Sequence, residues 1–261
     1  MLYREIAPVS KEAWKEIDER AKKVFKAYLS ARKVVRVNGP KGLDYNVLTE
    51  GRLGKIESKD NVSYSSYKVL PLTESRVEFE MDRWELDNIL RGAEDIDYKP
   101  LEDAVKNIAL FEDRAVYSGL EEDSIVGLIK SSQNPTIPFG ESSEGIMDGI
   151  AKGLITLREK FEEGPFALVV GEKAYRRIIS EESSYPLYKK IEKLIGGKIV
   201  YSHVLNGAIL LPFNHEDLEL TIGRDFSIGY QSHTNEKVKF FITESFTFRV
   251  KDENLIVNYS L

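Results

Sequence analysis

From Ser10 to Leu29 the apolar positions Trp14, Ile17, Ala21, Val24, Phe25, Tyr28 and Leu29 recur at three- and four-residue spacing, with Lys and Glu in the gaps. That period predicts an amphipathic helix of about five turns. Ser10 is a suitable N-cap, and Asn38-Gly39-Pro40 is expected to end the helix, because Gly permits unusual backbone angles and Pro cannot continue the ladder. From Lys41 to Glu80 the chain reads as short extended pieces between Gly42, Gly51 and Gly54, closing on Val77, Phe79 and Met81 at period two. Large apolar residues are sparse between Leu43 and Leu70. A segment so poor in them cannot bury itself, so it predicts a loop or an arm that completes its contacts on another chain.

A second long helix is predicted from Pro100, at an N1 position, through Leu101, Val105, Ile108, Ala109 and Val116 to the stop at Gly119. Residues 131–141 form a Pro-rich connector, and a third helix follows from about Ser143 to Phe161. Strand and helix then alternate: Phe166–Val170 as a buried strand, Lys173–Ser180 and Leu187–Ile195 as helices, Lys198–Ser202 and Ala208–Leu211 as strands. Beyond Leu218 every segment reads as strand, at Leu218–Ile222, Ser227–Tyr230, Val238–Val250 and Leu255–Tyr259. These strands need a sheet to join, and the 76–130 region is the expected place. The class is α+β.

The 261 residues carry 37 basic and 43 acidic side chains, a formal charge of −6, with 42 % hydrophobic content. A chain of this size and composition can fill a core unaided. The acidic balance argues against a nucleic-acid or anionic-membrane binder, whose phosphate affinity comes from clustered Lys and Arg. There are no cysteines, which removes disulfides, thiolate nucleophiles and thiolate metal sites together. The first residues hold no apolar signal core, and no run is long enough to span a bilayer, so the chain reads as cytoplasmic.

Enzyme motifs are absent. His203, His215 and His233 have no partner at metal-ligand spacing beyond the adjacent Glu216 and Asp217, and each reads as a surface or loop residue. No Glu-x-x-His pair is present. Gly-x-Ser-x-Gly is missing, and Gly196-Gly197-Lys198 lacks the earlier glycine of a phosphate loop. Gly145, Gly149 and Gly153 share one helical face, which predicts close backbone approach.

Against that background, a set of segments resembles the encapsulin shell protein family. They begin with Ala7-Pro8 and the helix carrying Trp14, Ile17-Asp18, Phe25-Lys26 and Arg32-Lys33, and continue through Leu70-Pro71-Leu72, Trp84-Glu85-Leu86-Asp87 and Phe111-Glu112-Asp113. Glu163-Gly164-Pro165, Tyr185-Pro186-Leu187 and Gly197-Lys198-Ile199 follow, and the series closes on Ser227-Ile228-Gly229-Tyr230 and Glu244-Ser245-Phe246-Thr247-Phe248-Arg249-Val250. The resemblance implies the tailed-phage major capsid protein (Hong Kong 97-like) fold. It places an N-terminal helix and arm at 1–39, an extended loop at 40–75, a discontinuous peripheral domain at 76–130 and 218–261, and an axial domain at 131–217.

The same resemblance implies a non-enzymatic subunit of a closed icosahedral shell, of the smallest (T=1) size for so short a chain. Such a shell encloses a cargo enzyme, a ferritin-like protein or a peroxidase, through the cargo's C-terminal targeting peptide. Phe25, Tyr28, Leu29, Ile228, Val238 and Phe240 are the expected apolar floor of the peptide site, and Arg32 its polar rim. Glu181, Glu182, Ser183 and Ser184 are expected at a five-fold opening, where repeated carboxylates attract cations such as iron. No cofactor is required, although Trp84 with Arg76 could stack a flavin ring and pair its phosphate, the alternative being that Trp84 caps the core at a helix start. The competing function class is a prophage or virus capsid protein that encloses DNA.

Overall fold

A computed structural model describes residues 2–180 and 185–261. Helix α1 (Lys11–Tyr28) leads to β1 (Arg36–Asn38), then β2 (Val47–Leu53), β3 (Glu57–Lys59), β4 (Val62–Tyr64), β5 (Tyr67–Pro71) and β6 (Thr73–Asp82). Next come α2 (Arg83–Leu90), α3 (Lys99–Ser118), α4 (Leu128–Ser131), β7 (Ile137–Pro138), α5 (Ser143–Arg158) and β8 (Phe166–Val170). The order is completed by α6 (Glu172–Ile179), α7 (Leu187–Ile195), β9 (Lys198–Tyr201), β10 (Ala208–Pro212), β11 (Leu218–Ile222), β12 (Ser227–His233), β13 (Lys237–Val250) and β14 (Val257–Ser260).

Two five-stranded sheets organise these elements. In the first, β13 is the axis. One of its edges pairs with β6 from Lys237↔Asp82 to Phe246↔Thr73, and the other is shared by β12 and then β11, to which β1 adds in parallel. The second sheet runs β7-β14-β10-β8-β9. Two antiparallel ribbons, β2–β5 and β3–β4, stand apart from both.

The uninterrupted apolar run of β8 follows from burial on both faces. Ala167 and Val169 enter the core between the sheets, while Phe166, Leu168 and Val170 enter a second core under α5, α6 and α7. Helix α3 packs along β13 and serves two cores in the same way. Its first half, Leu101, Ala104, Val105 and Ile108, meets Val238, Phe240 and Ile242 beneath α1. Its last turns, Ala115, Val116 and Tyr117, meet Phe246 and Phe248. The glycine face of α5 is used as its spacing predicts: a Cβ on Gly149 would stand 2.8 Å from the Pro138 carbonyl oxygen, and one on Gly153 would stand 2.0 Å from the Tyr259 hydroxyl.

Three expectations need correction. Helix α1 ends at Tyr28, well before Asn38-Gly39-Pro40. The cause is tertiary: the buried Asp113 carboxylate on α3 accepts from the backbone N–H groups of Ser30 (3.0 Å) and Ala31 (3.0 Å) and from the Ser30 hydroxyl, which turns the chain away from the helix axis. Helix α5 stops at Arg158, short of Phe161, which has a positive φ of 68°. The last strand, β14, does not join the 76–130 region. It pairs with β10 and β7 in the second sheet, so the chain crosses back after β13. Among the described residues no helix is long and apolar enough to cross a membrane.

Burial raises the Asp113 pKa to about 6, and the hydrogen bonds from Ser30 and Ala31 offset only part of that rise. The unfolded value is near 3.9, so the folded chain binds the extra proton. This group's contribution to stability is full below about pH 4 and is lost as pH rises through 6. Urea unfolding of the wild type and Asp113→Asn at several pH values between 4 and 7 checks this. The wild type should lose stability across that window relative to the variant, and parallel profiles would contradict the assignment.

Candidate functional site

The side of α1 next to its core stripe carries Asp18, Ala21, Lys22, Phe25 and Leu29, which line a groove of about 490 Å³. The facing wall is the turn into β12: Asp225, Phe226, Ser227 and Ile228. Phe25 and Phe226 stack across the floor with ring centroids 4.2 Å apart. An arginine bounds each end. Arg4 donates to both Asp18 oxygens (2.7 and 2.6 Å) and, through Nε, to the Ile228 carbonyl (2.7 Å), so it ties α1 to β12. Arg32 lies 4.6 Å over the Phe226 ring and donates to Asp225 at 2.8 Å.

The groove runs along the outer edge of β12. Tyr230 N–H donates to the Leu2 carbonyl at 2.8 Å, away from β13. The alternation of an antiparallel ladder gives Ile228, two residues earlier, the same outward-facing N–H and C=O. Part of this edge is therefore occupied by the chain's own first residues, and the Ile228 stretch faces the groove.

Beneath Arg32 lies a buried ion cluster. Its guanidinium donates to Glu112 (2.6 to 3.0 Å) and to Glu244, and both carboxyl groups are fully buried. Desolvation acts to lower the Arg32 pKa, but Glu112, Glu244 and Asp225 outweigh it and raise it. Desolvation and then repulsion by Glu112 raise Glu244 well above the usual carboxylate range. Glu244 is thus shifted towards its protonated form, and Arg32 is the cation that both buried carboxyl groups face.

Of the residues expected at the peptide site, Phe25, Leu29, Arg32 and Ile228 converge on the groove. Val238 and Phe240 do not: both are fully buried below it, with Phe240 between Trp14 (5.3 Å) and Phe79 (5.1 Å). Period two assigns a strand residue to a face but not to a layer. Tyr28 points to the other side of α1, where it stacks on His203. Leu2, Arg4, Asp18, Lys22 and Phe226 are groove residues that periodicity does not single out. Only the rarity of a Phe in the turn Arg224-Asp225-Phe226-Ser227 hints at one of them.

Arg76 and Trp84 are not brought together. Arg76 stacks 3.7 Å over Phe241 and donates to Gln231, while Trp84 lies in the first turn of α2, beyond six further strand residues that span about 20 Å. Trp84 does not cap the core either. It is 67 % exposed beside Arg91, and Leu86 fills the core position of α2. Glu181, Glu182, Ser183 and Ser184 lie outside the described residues.

The family model described as the encapsulating protein for peroxidase matches residues 1–247. A type 1 encapsulin shell protein from Brevibacterium linens is 33 % identical, covering 100 % of this chain and 99 % of that protein. The chain belongs to the encapsulin shell protein family. Another such shell protein, from Mycobacterium tuberculosis, is 32 % identical and covers 95 % of this chain and 94 % of its own length. The fold agrees: a virus-like particle from Pyrococcus furiosus superposes with a TM-score of 0.69 at 15 % identity, covering 94 % of this chain and 98 % of that one. The capsid of Myoviridae phage XM1 gives 0.56 at 11 % identity, covering 86 % and 90 %. The encapsulin chain therefore has the tailed-phage capsid fold, and its role is structural rather than enzymatic.

Proposed function

We propose that the chain is the repeating subunit of a closed shell that encloses a cargo enzyme, a peroxidase or a ferritin-like protein, and holds it by the cargo's C-terminal targeting peptide in the groove between α1 and β12. The observation that carries the peptide site is the juxtaposition of an apolar floor, Phe25, Leu29 and Phe226, with the outward backbone N–H of Ile228 on the edge of β12, whose carbonyl Arg4 already holds. An extended peptide uses such a place doubly: its backbone pairs with the strand edge and its alternate side chains fill the apolar floor. Aromatic anchors in a bounded groove supply most of the affinity of contacts of this kind.

Shell closure has separate support. Ribbons β2–β5 and β3–β4 expose Leu53, Ile56, Val62, Tyr64, Tyr67 and Val69, a large apolar surface for a two-stranded element that is marginal alone in water. In a closed point group the same contact recurs at every equivalent axis, so each ribbon finds a neighbour to cover it.

Phe25→Asp, co-expressed with a cargo fused to its targeting peptide, should leave shells intact and reduce co-purified cargo at least tenfold, because it replaces one ring of the stacked Phe25–Phe226 floor with a carboxylate that an apolar peptide side chain would have to desolvate. Cargo retained in full would place the peptide elsewhere.

A further inference from the structure

On the side of α1 away from the groove, four aromatic rings run from the helix to the second sheet. Tyr28 lies against His203 with centroids 4.6 Å apart, His203 meets Tyr201 at 4.8 Å, and Tyr201 meets Tyr175 at 5.4 Å. His203 is exposed at the centre of this row, and Tyr28 forms part of an adjoining hollow of about 280 Å³ lined also by Arg20, Lys23, Glu102, Asp103 and Lys106. Cations crowd the same surface. Lys106 Nζ sits 5.4 Å over the Tyr28 ring, and desolvation first, with the charges of Lys106 and Lys33 after it, lowers the pKa of His203.

The two carboxylates of the hollow are already engaged: Glu102 pairs with Arg20, and Asp103 with Lys99 at 2.5 Å. Among the described residues, Lys23, Lys33 and Lys106 have no such partner. Unlike the ordinary mixed-sign surface of this acidic chain, this patch combines unneutralised positive charge with flat ring faces. Each half selects a different part of a ligand. Ammonium groups attract phosphate oxygens, and π-faces stack a planar heterocycle. An imidazole shifted towards its neutral form adds ring surface and an acceptor without adding repulsion to the nearby lysines.

We propose that Tyr28, His203, Lys33 and Lys106 form a binding site for a nucleotide, the base stacking on the Tyr28–His203 pair and the phosphates lying between the two lysines. The site is separate from the cargo groove, since α1 stands between them. It draws on single molecules rather than a nucleic-acid strand, because the chain as a whole carries −6, which disfavours a long polyanion.

The test is isothermal titration of the assembled full-length protein with ADP, inorganic pyrophosphate and adenosine, followed by ADP titration of His203→Ala and Lys33→Ala/Lys106→Ala. ADP should bind at least tenfold more tightly than either fragment, and each variant should weaken it at least fivefold. No ADP binding overturns the proposal. Pyrophosphate binding as tightly as ADP removes the ring half of the site, adenosine binding as tightly removes the charge half, and either result overturns it. Tighter binding of a single-stranded RNA oligonucleotide, with affinity falling steeply with salt, would replace the nucleotide site with a nucleic-acid surface. Unchanged ADP affinity in both variants would place any binding elsewhere.

Discussion

Arg32→Met is expected to cost the subunit about 3–5 kcal/mol, the usual penalty for removing one partner of a buried ion pair. Among the described residues, Arg32 is the cation that pairs with the fully buried Glu112 and Glu244. Without it the two buried carboxyl groups lose this cation in a medium that solvates charge poorly. Against a total stability of the order of 5–15 kcal/mol, thermal denaturation should fall by roughly 10 °C. The triple variant Arg32→Met/Glu112→Leu/Glu244→Leu should recover most of the loss, because a well-packed apolar replacement of a whole buried cluster is often neutral. Glu244→Gln alone should cost less than about 1 kcal/mol, since burial and the neighbouring Glu112 shift the native side chain towards its protonated form. Damage from Glu244→Gln equal to that from Arg32→Met would contradict this protonation state.

The second large effect concerns assembly. Tyr67→Asp/Val62→Asp changes two side chains that are 74 % and 64 % exposed in the isolated subunit and touch neither sheet core. The folded chain should be indifferent to them. If each is buried by a neighbour, about 1.5–3 kcal/mol per side chain is lost at every equivalent contact, and two buried carboxylates are added. Size-exclusion chromatography should show folded subunits, with circular dichroism unchanged, in place of shells. Shells forming at wild-type yield would mean that the ribbons point to solvent.

Much of this architecture is legible in the chain itself. Leu187–Ile195 and Phe166–Val170 are found within their bounds because a strong helical period and a five-residue apolar run each admit one reading. The end of α1 is not legible, because Asp113, more than eighty residues away, turns the backbone at Ser30 before the Gly-Pro signal is reached. The crossing of β14 is hidden for a similar reason: Val257 and Tyr259 alternate correctly for either sheet, and only the geometry of β10 decides between them.

The peptide site shows the same division. Phe25 and Leu29 follow from helix periodicity and the family resemblance together, whereas Arg4 and Phe226 arrive from a terminal segment and a turn, where no period operates. Tyr28 neighbours Leu29 in sequence, yet the 100° step between them puts it across the helix. That step separates the groove beside β12 from the His203 side of the helix.

The central claim, that this chain builds a closed shell, is tested most directly by negative-stain electron microscopy of the purified full-length protein after size-exclusion chromatography under native conditions. A compact monomer of this length has a radius of gyration of roughly 18 Å. The account predicts uniform hollow spheres many times that size, eluting as one large species. A discrete monomer or dimer with no particles on the grid would contradict it.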